Sequence, residues 1–534
     1  MMNHVKDKMT SVMTPFQIGA RSGHRGQEHI FVLKSIMGLY EYLNKPLLIS
    51  GYDVSKFFDF EQISDVLSEC HKLKVKGKIY RLLYRLNEKR NIKVLTPLGE
   101  TEEAKVDEGI SQGSIESGTL SSGSLDQGVN EGFKNSEYEI TYGNISLQPQ
   151  IFLDDLIRCA NSILNAQAGN VFLEAILSSK GLRFNLSKST YIVMNDVDNV
   201  IKKELNEKPI KLCGKKMTQS QAITYLGEQI SEKGVAASAK ETIAKRYGRA
   251  KQLILEIKAI IEDCRSNREG AIFTGIQLFQ LSVVPYIYYS SELWVSIPPE
   301  SIQQLNDLHE LLYRVMFGTS KSCPKVILYT ETGSLLPINI IKEHKAMFYF
   351  HLNHLDQHSL AYKIYNEQRR LRLPGYVKEA QEILAELNIR EGTVHSSTKA
   401  QFRSLVKSAI KARNTKDLLE MSKGYKKVNY FDLQKEEITM KEYIKTMDLN
   451  GARTMFAHNS QTMKHIKLNQ MNHEPYSKVN WRCHECSSIS SSRHIKWCPA
   501  YSHLREDLSL ERDDHLIKYL QEVIKIREDA DNKE

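Results

Sequence analysis

Aspartates stand at two places in this chain where they could hold metal ions for phosphoryl transfer. Asp53 follows the apolar run 47–52, which is typical of a buried strand, and Asp154 and Asp155 are adjacent in a short strand-turn-strand pattern. Reactions at phosphate need positioned metal ions more than covalent help, and paired ions stand roughly 3.5–4 Å apart. Carboxylate oxygens are the ligands that Mg²⁺ prefers. These three residues therefore predict a site for two Mg²⁺ ions.

The aspartate pair also has a simpler explanation, which is turn formation. Aspartate favours tight turns because its side chain hydrogen-bonds to the nearby backbone, and an isolated pair of this kind is turn chemistry far more often than a metal site. Adjacent carboxylates repel each other, however, so a bound cation is a natural reason for a hairpin to keep both. The choice between the explanations depends on the elements and motifs around Asp154 and Asp155.

The elements that must position these carboxylates include both strands and helices. Apolar residues recur at helical spacing over 28–42, and hairpin patterns are centred on 97–100 and on Gly143. The Gly- and Ser-rich stretch 109–128 also carries recurring apolar residues, which favours a loop that runs into a packed helix over a flexible linker. From Gly234 onward the spacing is that of long helices. The pattern predicts an α+β fold.

Six short segments follow one another in an order that is more specific than any one of them. They are residues 17–25, 53–59, 109–114, 152–155, 181–188 and 225–227. In this order they resemble the motifs of the reverse transcriptases of non-LTR (target-primed) retrotransposons, and the resemblance extends over most of the chain. It implies a right-hand polymerase with partial fingers, an antiparallel-sheet palm and a helical thumb.

The resemblance implies roles for individual residues. Asp53, Asp154 and Asp155 would be the metal ligands, and Phe58 would exclude ribonucleotides at the sugar. Other matched residues would contact the incoming nucleotide or the template, and these are Arg21, Arg25, Gln112 and Gly113. The residues of the last segment would form the primer grip, and these are Tyr225, Leu226 and Gly227.

Lys188, at the end of the fifth segment, admits two interpretations. By the resemblance it would lie near the nucleotide phosphates, where it could donate a proton to the leaving pyrophosphate. A lysine in a polar turn is, equally, often no more than solvated. The sequence leaves both interpretations open.

Cysteines and a histidine cluster near the C-terminus at a metal-binding spacing. Cys483 and Cys486 are separated by two residues, and His494 and Cys498 follow, which gives four ligands suited to one tetrahedral, structural Zn²⁺. His484 competes as a ligand but stands between the two cysteines. The aromatic and basic residues around the cluster suit single-stranded nucleic acid, and a purely structural zinc site is the rival explanation.

The resemblance divides the chain into five regions. A residual fingers segment covers 1–50, the palm 51–232, the helical thumb 233–337, a helical connector 338–478, and a CCHC zinc knuckle with a C-terminal helix 479–534. In the family branch with such a knuckle, a restriction-like endonuclease follows it. Only 36 residues remain after Cys498 (534 − 498), so we expect no endonuclease in this chain.

The leading hypothesis is an RNA-directed DNA polymerase. In this reaction a DNA 3′-OH attacks the α-phosphate of a dNTP and pyrophosphate leaves, so the expected partners are an RNA template, a DNA primer and dNTPs. The alternative is a truncated, catalytically inactive, transposon-derived protein that only binds nucleic acid, since the chain begins close to the fingers segment. A nuclease that uses the same carboxylates is a third possibility, which no separate motif supports.

The bulk composition agrees with these partners without selecting among them. Lys and Arg number 73 against 64 Asp and Glu, and this mild net charge of +9 fits a nucleic-acid partner but also many other proteins. No secretory signal is visible, and polar residues and a proline interrupt the most apolar stretch, 276–295. Most cysteines are scattered singly. We therefore expect an intracellular protein, nuclear or cytoplasmic, without a membrane-spanning segment, and the sequence gives no indication of its oligomeric state.

Overall fold

The structure is a computed structural model with side chains. It describes residues 13–72, 75–88, 90–106, 109–111, 114, 117–133, 140–321, 323–425, 438–460, 486, 496–505, 510 and 513–531. The chain divides into two compact units. The first unit is Met1–Thr242, Ser290–Pro298 and Lys345–Phe402, and the second is Ile243–Tyr289, Pro299–His344 and Arg403–Glu534. The units are discontinuous in sequence, whereas the five regions expected above are continuous, so the bounds of those regions stay a prediction.

A five-stranded sheet forms the centre of the first unit. Its strands are β1 (Leu47–Asp53), β2 (Gln150–Phe152), β3 (Asp155–Ala160), β4 (Thr190–Met194) and β5 (Thr218–Gln219). They lie in the order β5-β4-β1-β3-β2. Neighbouring strands are antiparallel except β4 and β5, which are parallel. The antiparallel sheet expected for this part of the chain is therefore present, with one parallel pair at its edge.

Strand β1 is buried because other elements cover the sheet. Three helices of this unit are α1 (Gly26–Tyr42), α2 (Ser117–Phe133) and α3 (Ile163–Ser179). Leu48 and Tyr52 of β1 belong to one hydrophobic core with Leu125 of α2 and Leu173 of α3. Ile49, whose side chain points to the opposite face of the sheet, is also fully buried. Burial of each such side chain contributes about 1.5–3 kcal/mol, which explains the nearly continuous apolar run.

Helix α2 confirms the interpretation of the Gly- and Ser-rich stretch as a segment that enters a packed helix. Leu120, Leu125 and Val129 are buried along it. Its small residues permit close packing, since a Cβ added to Gly128 would lie 2.9 Å from the Ile176 side chain of α3. Glycine normally weakens a helix, so this stretch is helical because of its tertiary contacts.

The first unit also contains short helices and hairpins around the sheet. The helices are Phe57–Phe60, Ile63–Lys72, Gly77–Asn87, Val200–Glu207, Ser291–Leu293 (a 3₁₀ turn), Leu360–Leu371, Tyr376–Glu386 and Glu391–Ser396. The paired strands are Arg90–Ile92 with Ala104–Val106, Leu95–Thr96 with Gly99–Glu100, Ile140–Tyr142 with Ile145–Leu147, Lys211–Leu212 with Lys215–Lys216, and Ala222–Tyr225 with Glu228–Ser231. The hairpin expected at 97–100 is confirmed. A hairpin also turns at Gly143, but its second strand is Ile145–Leu147 and not the expected segment 150–153, which pairs with Asp155–Ala160 instead.

Long helices dominate the chain after Gly234, as the apolar spacing predicts. Three helices run from one unit into the other, and these are α4 (Val235–Arg265), Pro337–Asn353 and α5 (Lys399–Ser422). Those within the second unit are Ala271–Leu278, Phe279–Val283 (a π-helix), Val284–Ile287, Pro299–Phe317, Lys325–Thr332, Tyr443–Thr446, Leu449–Asn459, Pro499–Leu504 (3₁₀) and Asp513–Asp531. None of the helices described here has the length and apolar character needed to cross a lipid bilayer.

Candidate active site

The sheet places Asp53 directly opposite Asp155. Strands β1 and β3 are antiparallel neighbours, and their register pairs Asp53 with Asp155 at the end of the ladder. Directly paired residues point to the same face of a sheet, with Cβ atoms about 4.5–5.5 Å apart. Two carboxylates that the chain separates by about a hundred residues therefore lie side by side.

Asp154 lies in the two-residue turn that joins β2 to β3. Phe152 pairs with Asp155, so Leu153 and Asp154 are the turn residues. Leu153 has a φ of +59°, as at the first position of a type II′ turn, where glycine is usual. A leucine in this region is strained by roughly 1–2 kcal/mol. The predicted turn is confirmed, and its strained residue directly precedes the aspartate pair.

The segment 16–19 holds this turn from the side. Ile151 of β2 donates a backbone hydrogen bond to Phe16 (2.9 Å), and Ile18 donates one to Ile151 (3.3 Å). A Cβ added to Gly19 would lie only 2.6 Å from the Leu153 nitrogen. Gly19 is therefore glycine because the turn packs directly against it.

Burial and mutual repulsion make it unfavourable for all three aspartates to be negatively charged at once. Burial, and then the charges of Asp154 and Asp53, raise the pKa of Asp155 to about 6. Burial also raises the pKa of Asp154, to which the charge of Asp53 adds and which Lys188 opposes. A shift of this kind measures how much the site resists holding its full negative charge. A cation at this position would remove that cost.

Among the described residues, Lys188 forms an ion pair with one of these carboxylates, Asp53. Its Nζ lies 3.9 Å from Oδ1 of Asp53, and its side chain is 69% exposed. The loop before it is tied to the same aspartate, because the Asn185 backbone donates to the Asp53 carbonyl (2.8 Å) and the Asp53 backbone donates to the Ser189 hydroxyl (3.2 Å). The structure thus brings Lys188 to the site on a mostly exposed side chain.

Phe58 stands on the short helix Phe57–Phe60 that follows Asp53. Its ring is half-buried and packs edge-on against the ring of Phe57, with centroids 5.4 Å apart. Its carbonyl accepts a hydrogen bond from Ile110, and a Cβ on Gly109 would lie 2.8 Å from that carbonyl oxygen. The loop that begins at Gly109 therefore starts beside Phe58. Gln112 and Gly113, which were expected to contact the nucleotide, lie outside the described residues.

The two arginines that were expected to bind the nucleotide have contacts within their own unit. Arg21 Nη1 donates to the carbonyl of Thr14 at 3.0 Å, and burial lowers the pKa of its guanidinium. The guanidinium of Arg25 lies 5.8 Å from the ring centroid of Phe348. These contacts give both arginines a structural role, so their binding of a nucleotide stays a prediction.

Tyr225, Leu226 and Gly227 form the tip of a tight hairpin. Both central residues have positive φ, +46° at Leu226 and +79° at Gly227, as in a type I′ turn. The Tyr225 hydroxyl lies 3.0 Å from Nδ1 of the buried His29. A Cβ on Gly51 of β1 would lie 2.8 Å from Cγ2 of Ile223. The hairpin thus rests on the strand that ends at Asp53.

Several residues around the site were not singled out from the sequence. His29 and Ser189 hold neighbouring segments, yet isolated polar residues carry no signal of their own. Gly51 could have been found, since a single glycine inside an apolar strand indicates close approach of another chain segment. The structure identifies that segment as the hairpin at 222–231.

Half of the expected zinc ligands fall among the described residues. Sγ of Cys498, which is buried, lies 3.7 Å from Sγ of Cys486. Two thiolates held about 2.3 Å from one tetrahedral Zn²⁺ would stand roughly 3.8 Å apart. Cys483 and His494 lie outside the described residues. Across the part of the chain that the structure describes, no group of three or more His, Cys, Asp or Glu side chains stands ready to hold a metal ion, so both metal sites stay predictions.

Comparison with known proteins gives distant structural similarity. No family model matches the sequence, and no curated protein matches it significantly. Telomerase from Candida albicans, solved with a TWJ fragment of telomeric RNA, is 11% identical with a TM-score of 0.31 over 69% of this chain and 52% of that chain. Apo telomerase from Candida tropicalis is 11% identical with a TM-score of 0.34 over 76% and 60%, and its complex with a TWJ fragment is 12% identical, at 0.31 over 76% and 56%. The chain thus spans about half to three fifths of the length of those chains. Similarity of this degree does not by itself assign a fold.

Proposed function

We propose that this chain is an RNA-directed DNA polymerase of the non-LTR retrotransposon type, with a right-hand architecture. The observation that carries the proposal is the register pair Asp53 and Asp155 with Asp154 on the adjoining turn. Its chemistry would be attack of a primer 3′-OH on the α-phosphate of a dNTP, directed by an RNA template. Pyrophosphate would leave, and the α-phosphate would become the new phosphodiester.

The carboxylate set suits two Mg²⁺ ions because its negative charge is poorly compensated. Lys188 is mostly exposed at 3.9 Å from Asp53, and a cation on such a surface offsets little. Asp53, Asp154 and Asp155 would hold the ions, which when bound neutralise charge on the phosphate oxygens. The flexible side chain of Lys188 would reach the phosphates and supply a proton to pyrophosphate.

The other residues of the site would bind the substrates. Phe58, beside the loop at Gly109, would close the space at the sugar 2′ position. Nucleotide and template contacts are proposed for Arg21, Arg25, Gln112 and Gly113. The tip of the hairpin would hold the primer, through Tyr225, Leu226 and Gly227. Of these only Gly227 is exposed, and the side chain of Tyr225 is buried, so the backbone of the turn would make the contact.

A basic helix face supports a nucleic-acid partner. Residues 399–416 of α5 include six Lys or Arg and no Asp or Glu. Arg403, Lys407 and Lys411 are exposed and recur every fourth residue, so they lie along one side of the helix. Such a row suits a phosphate backbone, whose contacts are electrostatic and depend on salt. A solvated helix face is the alternative, and it predicts no loss of binding when one of these charges is reversed.

The proposal extends to a CCHC zinc knuckle near the C-terminus. The 3.7 Å separation of the Cys486 and Cys498 sulfurs supports it, with Cys483 and His494 as the remaining ligands. Metal analysis of the purified protein tests this assignment: one zinc per chain is expected, lost in Cys498→Ser and kept in Cys264→Ser, whose cysteine is exposed elsewhere. A protein without zinc would refute the knuckle.

Primer extension on an RNA template with Mg²⁺ tests the polymerase. We expect dNTP incorporation that Asp154→Asn reduces by at least a thousandfold and that Asp198→Asn, which changes an exposed aspartate, leaves intact. RNA binding without incorporation would indicate instead the inactive nucleic-acid-binding protein. Cleavage of the template that depends on Asp154 would indicate a nuclease.

A further inference from the structure

A buried carboxylate directly follows the hairpin tip at Leu226 and Gly227. Glu228 follows the turn and is fully buried. Its Oε1 accepts hydrogen bonds from Lys34 Nζ at 2.9 Å, Trp294 Nε1 at 3.0 Å and Thr242 Oγ1 at 3.1 Å. Lys34 is itself only 5% exposed. One charged oxygen therefore collects three donors in the interior of the first unit.

These donors come from three parts of the chain that are distant in sequence. Lys34 lies on α1, Thr242 lies on the first part of α4, and Trp294 follows the 3₁₀ turn Ser291–Leu293. Lys34 also donates to the carbonyl of Leu293 at 3.2 Å. The network thus joins the base of the hairpin to two helices and a turn.

The other strand of the hairpin is fixed against the catalytic sheet. Ile223 fills the space beside Gly51, two residues before Asp53 in β1. The Tyr225 hydroxyl reaches His29 of α1 at 3.0 Å. The hairpin is consequently held on one side by the strand that carries a proposed metal ligand and on the other by the charged network.

A buried ion pair is a costly way to gain stability alone. Removing two charges from water costs several kcal/mol per ion, and apolar replacements of a buried pair are often as stable or more stable. A charged hydrogen bond differs from apolar packing in being directional and in fixing a distance. A network of three donors on one oxygen therefore suits the control of position.

We propose that Glu228, with Lys34 and Trp294, is a positioning network that fixes the Leu226–Gly227 turn relative to Asp53 and Asp155, and so sets where a primer 3′ end would lie. Glu228 acts through the backbone of the turn and touches no substrate. The inference rests on the proposed polymerase function, and it names a residue set outside the matched motifs.

The first test compares Glu228→Gln with Glu232→Gln. The first change keeps the shape of the side chain and removes its charge, and the second removes the charge of a half-buried carboxylate directly after the same hairpin. In Glu228→Gln we expect the KM for primer-template to rise at least tenfold with little change in the KM for dNTP, and Glu232→Gln to behave like the unchanged protein. Equal rises in both KM values, or none, would overturn the proposal.

A second variant separates position from stability. The double change Lys34→Met with Glu228→Met removes both charges of the ion pair together, so we expect it to fold about as stably as the unchanged protein. Its primer KM should remain at least tenfold raised. A normal primer KM in this folded variant would show that the network serves stability alone.

Hydrogen exchange distinguishes failure of this inference from failure of the polymerase proposal. Backbone amides of residues 222–231 should exchange at least tenfold faster in Glu228→Gln than in Glu232→Gln, while those of β1 should not change. This readout needs no catalysis. If the unchanged protein extends no primer, the polymerase proposal fails, and exchange rates that are equal in the two variants would independently reject the positioning network.

Discussion

Two two-residue hairpin turns in the first unit both begin with a residue in the left-handed conformation, and they differ in the charges around them. Each has a leucine of positive φ as its first turn residue, Leu153 at +59° and Leu226 at +46°. Each is followed at once by a strand that begins with a carboxylate, Asp155 or Glu228. Asp155 faces two further aspartates, and its pKa is raised to about 6. Glu228 is fully buried against Lys34 and two neutral donors.

The surroundings of Glu228 and Asp155 differ in whether the protein itself supplies groups that stabilise the negative charge. Three side chains of the protein donate hydrogen bonds to Oε1 of Glu228, so this carboxylate connects other elements of the unit. At Asp155 the neighbouring groups are like charges, Asp53 and Asp154, which together with burial raise its pKa. Titratable groups whose pKa is strongly shifted in this way are concentrated at functional sites.

The largest effect on stability should come from removing Lys34, the cation that pairs with Glu228. Lys34→Met leaves Glu228 buried without its ion pair, and breaking one side of such a pair typically costs about 3–5 kcal/mol. Urea unfolding at pH 7 measures this loss. Lys45→Met, at an exposed lysine, is the control and should change the free energy of unfolding by less than about 0.5 kcal/mol. A small effect of Lys34→Met would mean that Glu228 is not compensated as described.

The second effect has the opposite sign and depends on pH. The pKa of Asp155 is about 6 in the folded protein against 3.8 for the ordinary group, so the folded state binds this proton more tightly. Its contribution to stability is fully present below pH 3.8 and is lost as pH rises through about 6. Asp155→Asn should therefore raise the free energy of unfolding at pH 8 in metal-free buffer by about 2 kcal/mol, which is below the roughly 3 kcal/mol of the full shift because solvent screens this half-buried carboxyl.

The pH and metal dependence of that variant provides the control. The gain from Asp155→Asn should disappear near pH 3.5, where the native carboxyl is protonated in both states. Mg²⁺ at pH 8 should raise the melting temperature of the unchanged protein more than that of the variant. Equal stability of the two proteins at pH 8 would contradict the raised pKa.

A smaller effect should come from the strained leucines. Leu226→Gly removes a side chain from a left-handed backbone conformation, which should stabilise the protein by about 0.5 kcal/mol after the entropy of glycine is counted. At Leu153 the same change also removes a half-buried side chain that lies against the backbone of Gly19, where its Cγ would be only 3.0 Å from an added Cβ. We therefore expect Leu153→Gly to be neutral or destabilising in thermal unfolding. Equal gains at both turns would show that the Leu153 side chain contributes no packing.

The smallest effect should be on RNA binding, through the row of positive charges on one face of α5. Lys407→Glu on α5 should weaken RNA binding about threefold at 0.15 M salt and reduce the salt dependence by about one ion. Lys416→Glu lies on a different side of the same helix and is also exposed, so it should have a smaller effect. Fluorescence anisotropy over a salt series measures both, and equal losses would indicate a diffuse field instead of a defined face.

The sequence predicted local features and missed contacts between distant ones. The strand before Asp53, the turn at Asp154 and the helix at 117–133 were predictable because apolar spacing and turn residues are local signals. Glu228 was not, since its role depends on Lys34 and Trp294, which lie far away in the chain. The inward contacts of Arg21 were not predictable either, because an arginine in a motif gives no indication of which carbonyl it will reach.

The short segment 16–18 covers β2, the strand at one edge of the sheet. Without it, β2 would present unpaired backbone N–H and C=O groups, and an open strand edge is a template for pairing with another molecule. The hydrogen bonds of Ile151 to Phe16 and from Ile18 occupy that edge. Protein lacking residues 13–25 should therefore self-associate through β2, and solubility would depend on the same few residues that pack against the aspartate turn.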